Sequence, residues 1–338
     1  RRFAAFLRER LSPRPQRVLR PAPARRVSSA IPTRRAPFTR PVCAVRVART
    51  TRTPLGLTLL ASSGAVVGAL AVGIRVGLSR QAALARRRIG TPLGEAPPMA
   101  DRIWRPGLGG EPVDLLMLGD SIAAGLGAQH RKETLGGRLA KALAGELDRP
   151  VRLQTGAVVG AESSDLAGQL AALPKDYRAD VAVIIVGGND VTHRVPIPVA
   201  TGHLADAVRR LRRVGTAVVV GTCPDLGALR AVPQPLRSIG SRASQQLAAA
   251  QAERARSEGA EIVSLRRAVG PFFRIDPDGM FSLDRFHPSA LGYRRTAEAL
   301  LPVVRDAFRR ADAEAAASDN PAPPAGPRSR RGPTATAA

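Results

Sequence analysis

Five short aliphatic runs, each followed by a helix-length segment, restrict the fold of this chain more than any other feature. They are Val113 to Leu118, Val151 to Leu153, Val181 to Val186, Ala217 to Val220 and Glu261 to Leu265. Unbroken Val/Ile/Leu runs, as opposed to strict apolar/polar alternation, belong to strands covered on both faces, which is the habit of parallel sheets. The segments between them, Leu135 to Leu147, Ser164 to Leu173, Val199 to Arg213 and Leu236 to Glu258, carry helical patterns, and a last one runs from Ala290 to Arg310. The expectation is a three-layer α/β/α domain with a central five-stranded parallel sheet over residues 112–308.

The remaining residues carry no core-forming pattern. Residues 1–52 alternate Arg, Pro, Ala and Val without a period and read as a disordered basic arm. The first methionine is Met99, and a translation start at Val45 or Val47 would leave most of that arm out of the native protein. Residues 53–74 contain no charged side chain over 22 positions, about the length that crosses a hydrocarbon core. They are expected to be a single-pass membrane anchor, with a cleaved signal peptide as the alternative because Gly56, Ser62, Ser63, Gly64, Gly68 and Gly73 dilute the run. Residues 75–111 read as a polar linker and 311–338 as a disordered Ala/Pro-rich tail.

Charge bears on partners only once it is located. The net charge of +25 first suggests nucleic acid or an anionic surface. Residues 1–54, however, hold fifteen arginines against Glu9 alone, whereas residues 112–308 carry a net +5. Aromatics are only 3% of the chain, which disfavours a base-stacking platform, and no specific nucleic-acid partner is expected. Only Lys132, Lys141 and Lys175 are lysines, so the excess is arginine, as GC-rich coding produces. The two cysteines, Cys43 and Cys223, make no disulfide framework.

In open parallel sheets, ligands bind beyond the carboxyl ends of the strands, so the residues just after each strand matter most. The first strand ends in Gly119-Asp120-Ser121, where a serine at a strand-to-helix turn can present its hydroxyl to a cleft or serve only as a helix cap. Gly160 follows the second strand and Gly187-Gly188-Asn189-Asp190 the third; each could be only a turn. Before the final helix stands Asp284-Arg-Phe-His287-Pro288, in which a carboxylate three residues ahead can hold the imidazole Nδ1 and leave Nε2 free. Together the four stretches supply nucleophile, base, orienting acid and hydrogen-bond donors for acyl transfer.

With GDSIAAG at Ser121, the glycine at Gly160, GGND at Asn189 and DRFHPSALGY ending at Tyr293, the chain resembles the SGNH/GDSL hydrolases, a family of serine esterases and lipases, over roughly residues 112–308. Its arginine and alanine bias further suggests a member of actinobacterial type, and the uncharged run 53–74 a membrane-associated one. The resemblance implies a flavodoxin-like sheet order and a triad of Ser121, His287 and Asp284. It also implies an oxyanion hole formed by the Ser121 and Gly160 amides and the Asn189 side chain, and an acyl-enzyme intermediate without cofactor or metal. Two departures stand out: Thr155 where block two often begins with Asn, and the apolar turn Ala157-Val158-Val159.

Competing chemistries fit less well. Ala123 breaks the G-x-S-x-G elbow, and His130 stands where a dinucleotide fingerprint needs glycine. His130, His193 and His203 show no metal-ligand spacing, Cys223 reads as structural, and Asp120 and Asp190 read as acceptors that fix loops. The substrate is expected to be an acyl ester of a lipid, a small alcohol or an acetylated sugar, so that carbohydrate O-acetyl esterase and lysophospholipase activities stay open. The catalytic domain is expected outside the cytoplasm, anchored through residues 53–74 or secreted after cleavage. A catalytically silent, basic, membrane-tethered binding module is the non-enzymatic alternative. The loops Pro224 to Pro235 and Thr192 to Pro198 are expected to shape the pocket.

Overall fold

The computed structural model describes residues 55–90 and 96–319. Six strands form one sheet: β1 (Arg102–Trp104), β2 (Val113–Gly119), β3 (Val151–Thr155), β4 (Val181–Ile185), β5 (Ala217–Gly221) and β6 (Glu261–Val263). Their spatial order is β1-β3-β2-β4-β5-β6, parallel except for β1. After α1 (Leu55–Ile89), which precedes the sheet in the chain, four long helices cover it: α2 (Leu135–Leu147), α3 (Ile197–Arg213), α4 (Leu236–Ser257) and α5 (Ala290–Asp319). The sheet and the site belong to the unit Leu59–Ala338, distinct from Arg1–Thr58.

The strand sequences explain the layering. Along β2, Leu115 and Met117 join one buried cluster, while Leu116 and Leu118 join another on the opposite face. Val181, Val183 and Ile185 against Ala182 and Ile184 repeat this division in β4. Successive side chains of a strand point to opposite faces, so a strand apolar at every position needs two coverings. On the first face, Leu135, Leu139 and Leu143 of α2 pack with Tyr293, Leu300, Val304 and Phe308 of α5. On the second lie Leu204, Val208 and Leu211 of α3 and Ala255 of α4.

Three expectations need correction. The sheet has a sixth strand, β1, which pairs antiparallel with β3 through Ile103 and Arg152 and lies inside the supposed linker. Three residues between polar neighbours give no periodic signal, yet burial of Trp104, whose indole donates to the Ala100 carbonyl at 3.2 Å, fixes them at the edge. The first half of that linker is helical: α1 continues to Ile89 because Ala, Leu, Gln and Arg are strong helix formers and Arg86, Arg87 and Arg88 complement the negative end of the helix. Ala85 is buried, and the Gln81 side chain accepts from the Leu236 amide at 3.1 Å. Finally, α5 extends through the Ala-rich residues 311–317 to Asp319, into the supposed tail.

The arm at 1–52, most side chains of the expected span 53–74 and the tail beyond residue 319 lie outside the described residues. Among the described residues, no helix is long and apolar enough to cross a membrane.

Among the five parallel strands the order is 2-1-3-4-5, so the direction in which successive strands are added reverses between β2 and β4. That switch point is where a crevice forms beyond the strand ends. It is bordered by Gly119-Asp120-Ser121 on one side and Gly187-Gly188-Asn189 on the other.

Candidate active site

The serine turn is shaped by its glycine and its aspartate. Gly119 closes β2 with φ of +124°, and a Cβ there would lie 1.8 Å from the Ile185 carbonyl oxygen of β4. The chain therefore turns hard against its neighbour strand, which only glycine permits. Asp120 then caps the single turn Ser121–Ala124 by accepting from the Ile122 amide at 2.9 Å. Because Asp120 takes the cap, the Ser121 hydroxyl is not spent on it. Instead, Ser121 Oγ lies 3.0 Å from His287 Nε2.

His287 comes from the loop between residue 280 and α5. Its Nδ1 lies 2.6 Å from Asp284 Oδ2. The other oxygen, Asp284 Oδ1, accepts from the Ser282 hydroxyl at 2.8 Å and from the Phe286 and His287 amides at 2.9 Å. Burial raises the affinity of this carboxylate for a proton, but the His287 ring and those amides outweigh it and hold its pKa down at about 2. Asp284 is therefore ionised at any ordinary pH, and its contribution to stability is present above about pH 4 and lost as pH falls toward 2. The Phe286 ring packs edge-on against His287 at 4.8 Å between centroids.

Asp120 behaves in the opposite way. Fully enclosed beneath the turn, it is raised by desolvation to about 6 despite the Ile122 amide. The folded protein thus favours its protonated form, so this group lowers stability as pH rises from about 4 through 6.

The loop carrying Gly160 is tied on both sides. The Val158 amide donates to the Gly119 carbonyl at 3.1 Å, and Asn189 Nδ2 donates to the Ala161 carbonyl at 2.9 Å. One hydrogen of the Asn189 amide is thereby engaged and the other is left over. Asp190 fastens the same loop by accepting from the Ser163 amide and from its hydroxyl at 3.0 Å. Gly160 itself has φ of +82°.

Ser121, Asn189 and His287 share the lining of one cavity of about 80 Å³, whereas Gly160 is not part of that lining. Most of its wall is apolar: Leu226, Leu229, Leu265, Val269 and Phe273 surround the space beside Ser121. Asp225, on the same wall, is neutralised by Arg266 at 3.0 Å and Arg274 at 2.8 Å. The loop after β5 shapes the cavity through Pro224 to Leu229, but Thr192 to Pro198 does not. Val195 and Ile197 are instead spent packing on Ala200, Cys223 and Leu247. Cys223 is a buried free thiol, and desolvation, with the nearby carboxylates Asp120, Asp190 and Asp225, pushes its pKa up. Among the described residues, no three His, Cys, Asp or Glu side chains are grouped to hold a metal ion.

Sequence reading missed the residues that hold these loops apart. Gln169 donates to the Gly119 carbonyl at 2.8 Å and accepts from the Gly119 amide at 2.9 Å, standing in for a strand neighbour. Gln251 bridges the Val186 carbonyl at 3.0 Å and the Cys223 amide at 2.8 Å in the same manner. The buried Tyr293 hydroxyl donates to the Leu126 carbonyl at 2.6 Å, joining α5 to the serine turn. A polar residue on the inward face of a helix was the available signal for both glutamines.

Residues 117–295 match the GDSL-like Lipase/Acylhydrolase family. The chain is 40% identical over 263 residues to GDSL-like esterase Rv1075c of Mycobacterium tuberculosis, covering 74% of this chain and 83% of that protein. Similar solved structures include the lipase Lip_vut3 from a goat rumen metagenome, with 17% identity, 58% of this chain and 97% of that one covered, and a TM-score of 0.47. Another is the acetylxylan esterase Axe2 from Geobacillus stearothermophilus, with 19% identity, 58% and 95% covered, and a TM-score of 0.44.

Proposed function

Because the chain belongs to the GDSL-like lipase/acylhydrolase family and is a carboxylic ester hydrolase, we propose that it cleaves short acyl esters with Ser121 as nucleophile, His287 as base and Asp284 as orienting partner. The observation that carries this reading is the continuous line from Ser121 Oγ through both ring nitrogens of His287 to Asp284. In the first half-reaction, Oγ attacks the acyl carbonyl carbon while Nε2 takes its proton. The tetrahedral oxyanion then collapses, the ester C–O bond breaks, and Nε2 returns the proton to the departing alcohol. In the second half-reaction, water loses its proton to Nε2 as it attacks the acyl-enzyme, which releases the acid and restores the Ser121 hydroxyl. Throughout, the ionised Asp284 keeps the Nδ1 proton in place and stabilises the imidazolium.

Oxyanion stabilisation is assigned to the Ser121 amide, the Gly160 amide and Asn189 Nδ2. The first amides of a helical turn have no internal acceptor, which suits Ser121 to this part. Asn189 is supported by its place in the cavity beside the serine and by its one uncommitted N–H. Asn189→Ala is expected to lower kcat by roughly a hundredfold or more with a much smaller change in KM. Steady-state kinetics on one soluble ester checks this, and an unchanged kcat would remove Asn189 from the oxyanion hole.

The cavity also limits the acyl group. About 80 Å³ holds roughly half a dozen non-hydrogen atoms, at about one per 10–15 Å³. In a 4-nitrophenyl ester series, kcat/KM is expected to rise from acetyl toward hexanoyl and to gain nothing further out to dodecanoyl, since a CH₂ beyond the cavity contributes none of the about 0.8 kcal/mol that its burial would. A rising rate out to dodecanoyl would contradict this assignment. Membrane attachment is proposed from the uncharged run 53–74 alone; full recovery of the intact chain in the soluble fraction would overturn it.

A further inference from the structure

Beside the catalytic cavity, and sharing Phe281 with it, runs a wider groove of about 760 Å³. Three guanidinium groups reach it from separate parts of the chain: Arg88 from the last turn of α1, Arg230 from the loop after β5, and Arg285 from the loop that holds Asp284 and His287. Among the described residues, none of the three has a carboxylate within ion-pair distance, whereas Arg266 and Arg274 nearby are satisfied by Asp225. Arg230 donates to the Arg274 carbonyl at 3.0 Å. The groove also contains Glu133 and Asp278, so its lining is positive by one charge. The Glu133 carboxylate is already engaged by the Gln129 and His130 amides at 3.1 and 3.2 Å.

Two backbone features tie this groove to the reaction centre. Arg285 has φ of +57°, a left-handed conformation in which glycine or asparagine sits at least cost, yet the position carries an exposed arginine one residue from Asp284. Gly127, with φ of +101°, forms part of the groove wall; a Cβ there would be 2.9 Å from His287 Cβ and 2.6 Å from the Pro288 carbonyl oxygen. The groove therefore abuts the histidine backbone.

We propose that this groove receives the alcohol side of the ester and selects alcohols that carry a phosphate or carboxylate group. The inference rests on the esterase reading above, since it assumes that the acyl chain occupies the apolar cavity and that the alcohol leaves on the other side of Ser121 and His287. Unpaired guanidiniums converging from three segments are suited to such anions, whose oxygens match the planar fork.

The test measures kcat/KM of the full chain on three butyrate esters whose alcohols are glycerol, glycerol 3-phosphate and glyceric acid. At low salt, at least one anionic ester is expected to exceed the glycerol ester by about tenfold or more, and the advantage is expected to shrink in concentrated salt. The phosphate and carboxylate arms identify which anion is preferred. Arg230→Gln with Arg285→Gly, the latter chosen to suit the left-handed backbone, is expected to remove that advantage, read as the ratio of the anionic ester's kcat/KM to the glycerol ester's in the same variant. Arg88→Gln, far from the catalytic loop in sequence, is expected to show a smaller loss with the same selectivity. Equal wild-type rates on all three esters, or variants that slow all three alike, would overturn the groove. If Ser121→Ala then still abolishes hydrolysis of the glycerol ester, the esterase reading survives that failure, whereas no hydrolysis of any of the three by wild type defeats both.

Discussion

Ser121→Ala is expected to lower kcat/KM on any ester the protein cleaves by roughly 10⁵-fold or more, while leaving the fold intact. Serine and histidine of such a line act as one unit, and removing either alone costs nearly as much as removing all of it. The substitution deletes one hydroxyl whose partner is His287 Nε2 at 3.0 Å, and Asp120, not Ser121, caps the turn, so helix capping survives. A melting temperature within about 2 °C of wild type is the expected companion result, since no cap, core contact or buried charge is removed. A fluorophosphonate probe should label wild type at Ser121 and fail on the variant. Retained hydrolysis with lost labelling would mean that another group does the chemistry. Intact labelling sites without hydrolysis of any ester would return attention to a binding role for the basic N-terminal arm.

Gly119→Ala is expected to be among the most destabilising single methyl additions available in this domain. The new Cβ would stand 1.8 Å from the Ile185 carbonyl oxygen and 2.6 Å from its carbon. Neither can retreat, because β4 is hydrogen-bonded to β2 on one side and β5 on the other. The φ of +124° adds strain that no side chain relieves. A loss above about 4 kcal/mol is expected, at the far end of what point substitutions do. For a domain of this size that is a fall in melting temperature of roughly 10–15 °C, or recovery only in the insoluble fraction. Gly168→Ala is the control: nothing lies within 4 Å of its ideal Cβ, and its position inside the helix Leu166–Ala171 should make the change neutral or stabilising by up to about 1 kcal/mol. Equal stability of the two variants would show that the close approach at Gly119 is not what shapes the serine turn.

The sheet and its layers were legible because aliphatic strands buried on both faces leave a pattern that survives in the bare sequence, as in Val181–Ile185. The catalytic candidates were legible for a different reason: beyond the strand ends only a few residue types can do acyl transfer, and Ser121, Asn189, Asp284 and His287 each stood in such a place. What escaped reading was whatever depends on a partner far along the chain. Arg102–Trp104 is a strand only because β3 offers an open edge. Residues 75–89 looked like a linker because a helix whose packing face is as small as Ala85 shows little amphipathic stripe. The alternative of Ser121 as a helix cap could be settled only by seeing that Asp120 already occupies that place.

The two buried glutamines carry a consequence for how the crevice can change. Past the ends of the strands, the peptide at Gly119 is held by the Gln169 side chain together with the Val158 amide, and Gln251 joins Val186, just after β4, to Cys223, just after β5. A side-chain rung can be lost by one substitution, unlike a backbone rung. Drift in this lineage should therefore spare the depth of the cleft and alter its mouth, with both glutamines acting as fixed pegs around which rim loops of new length and specificity are strung.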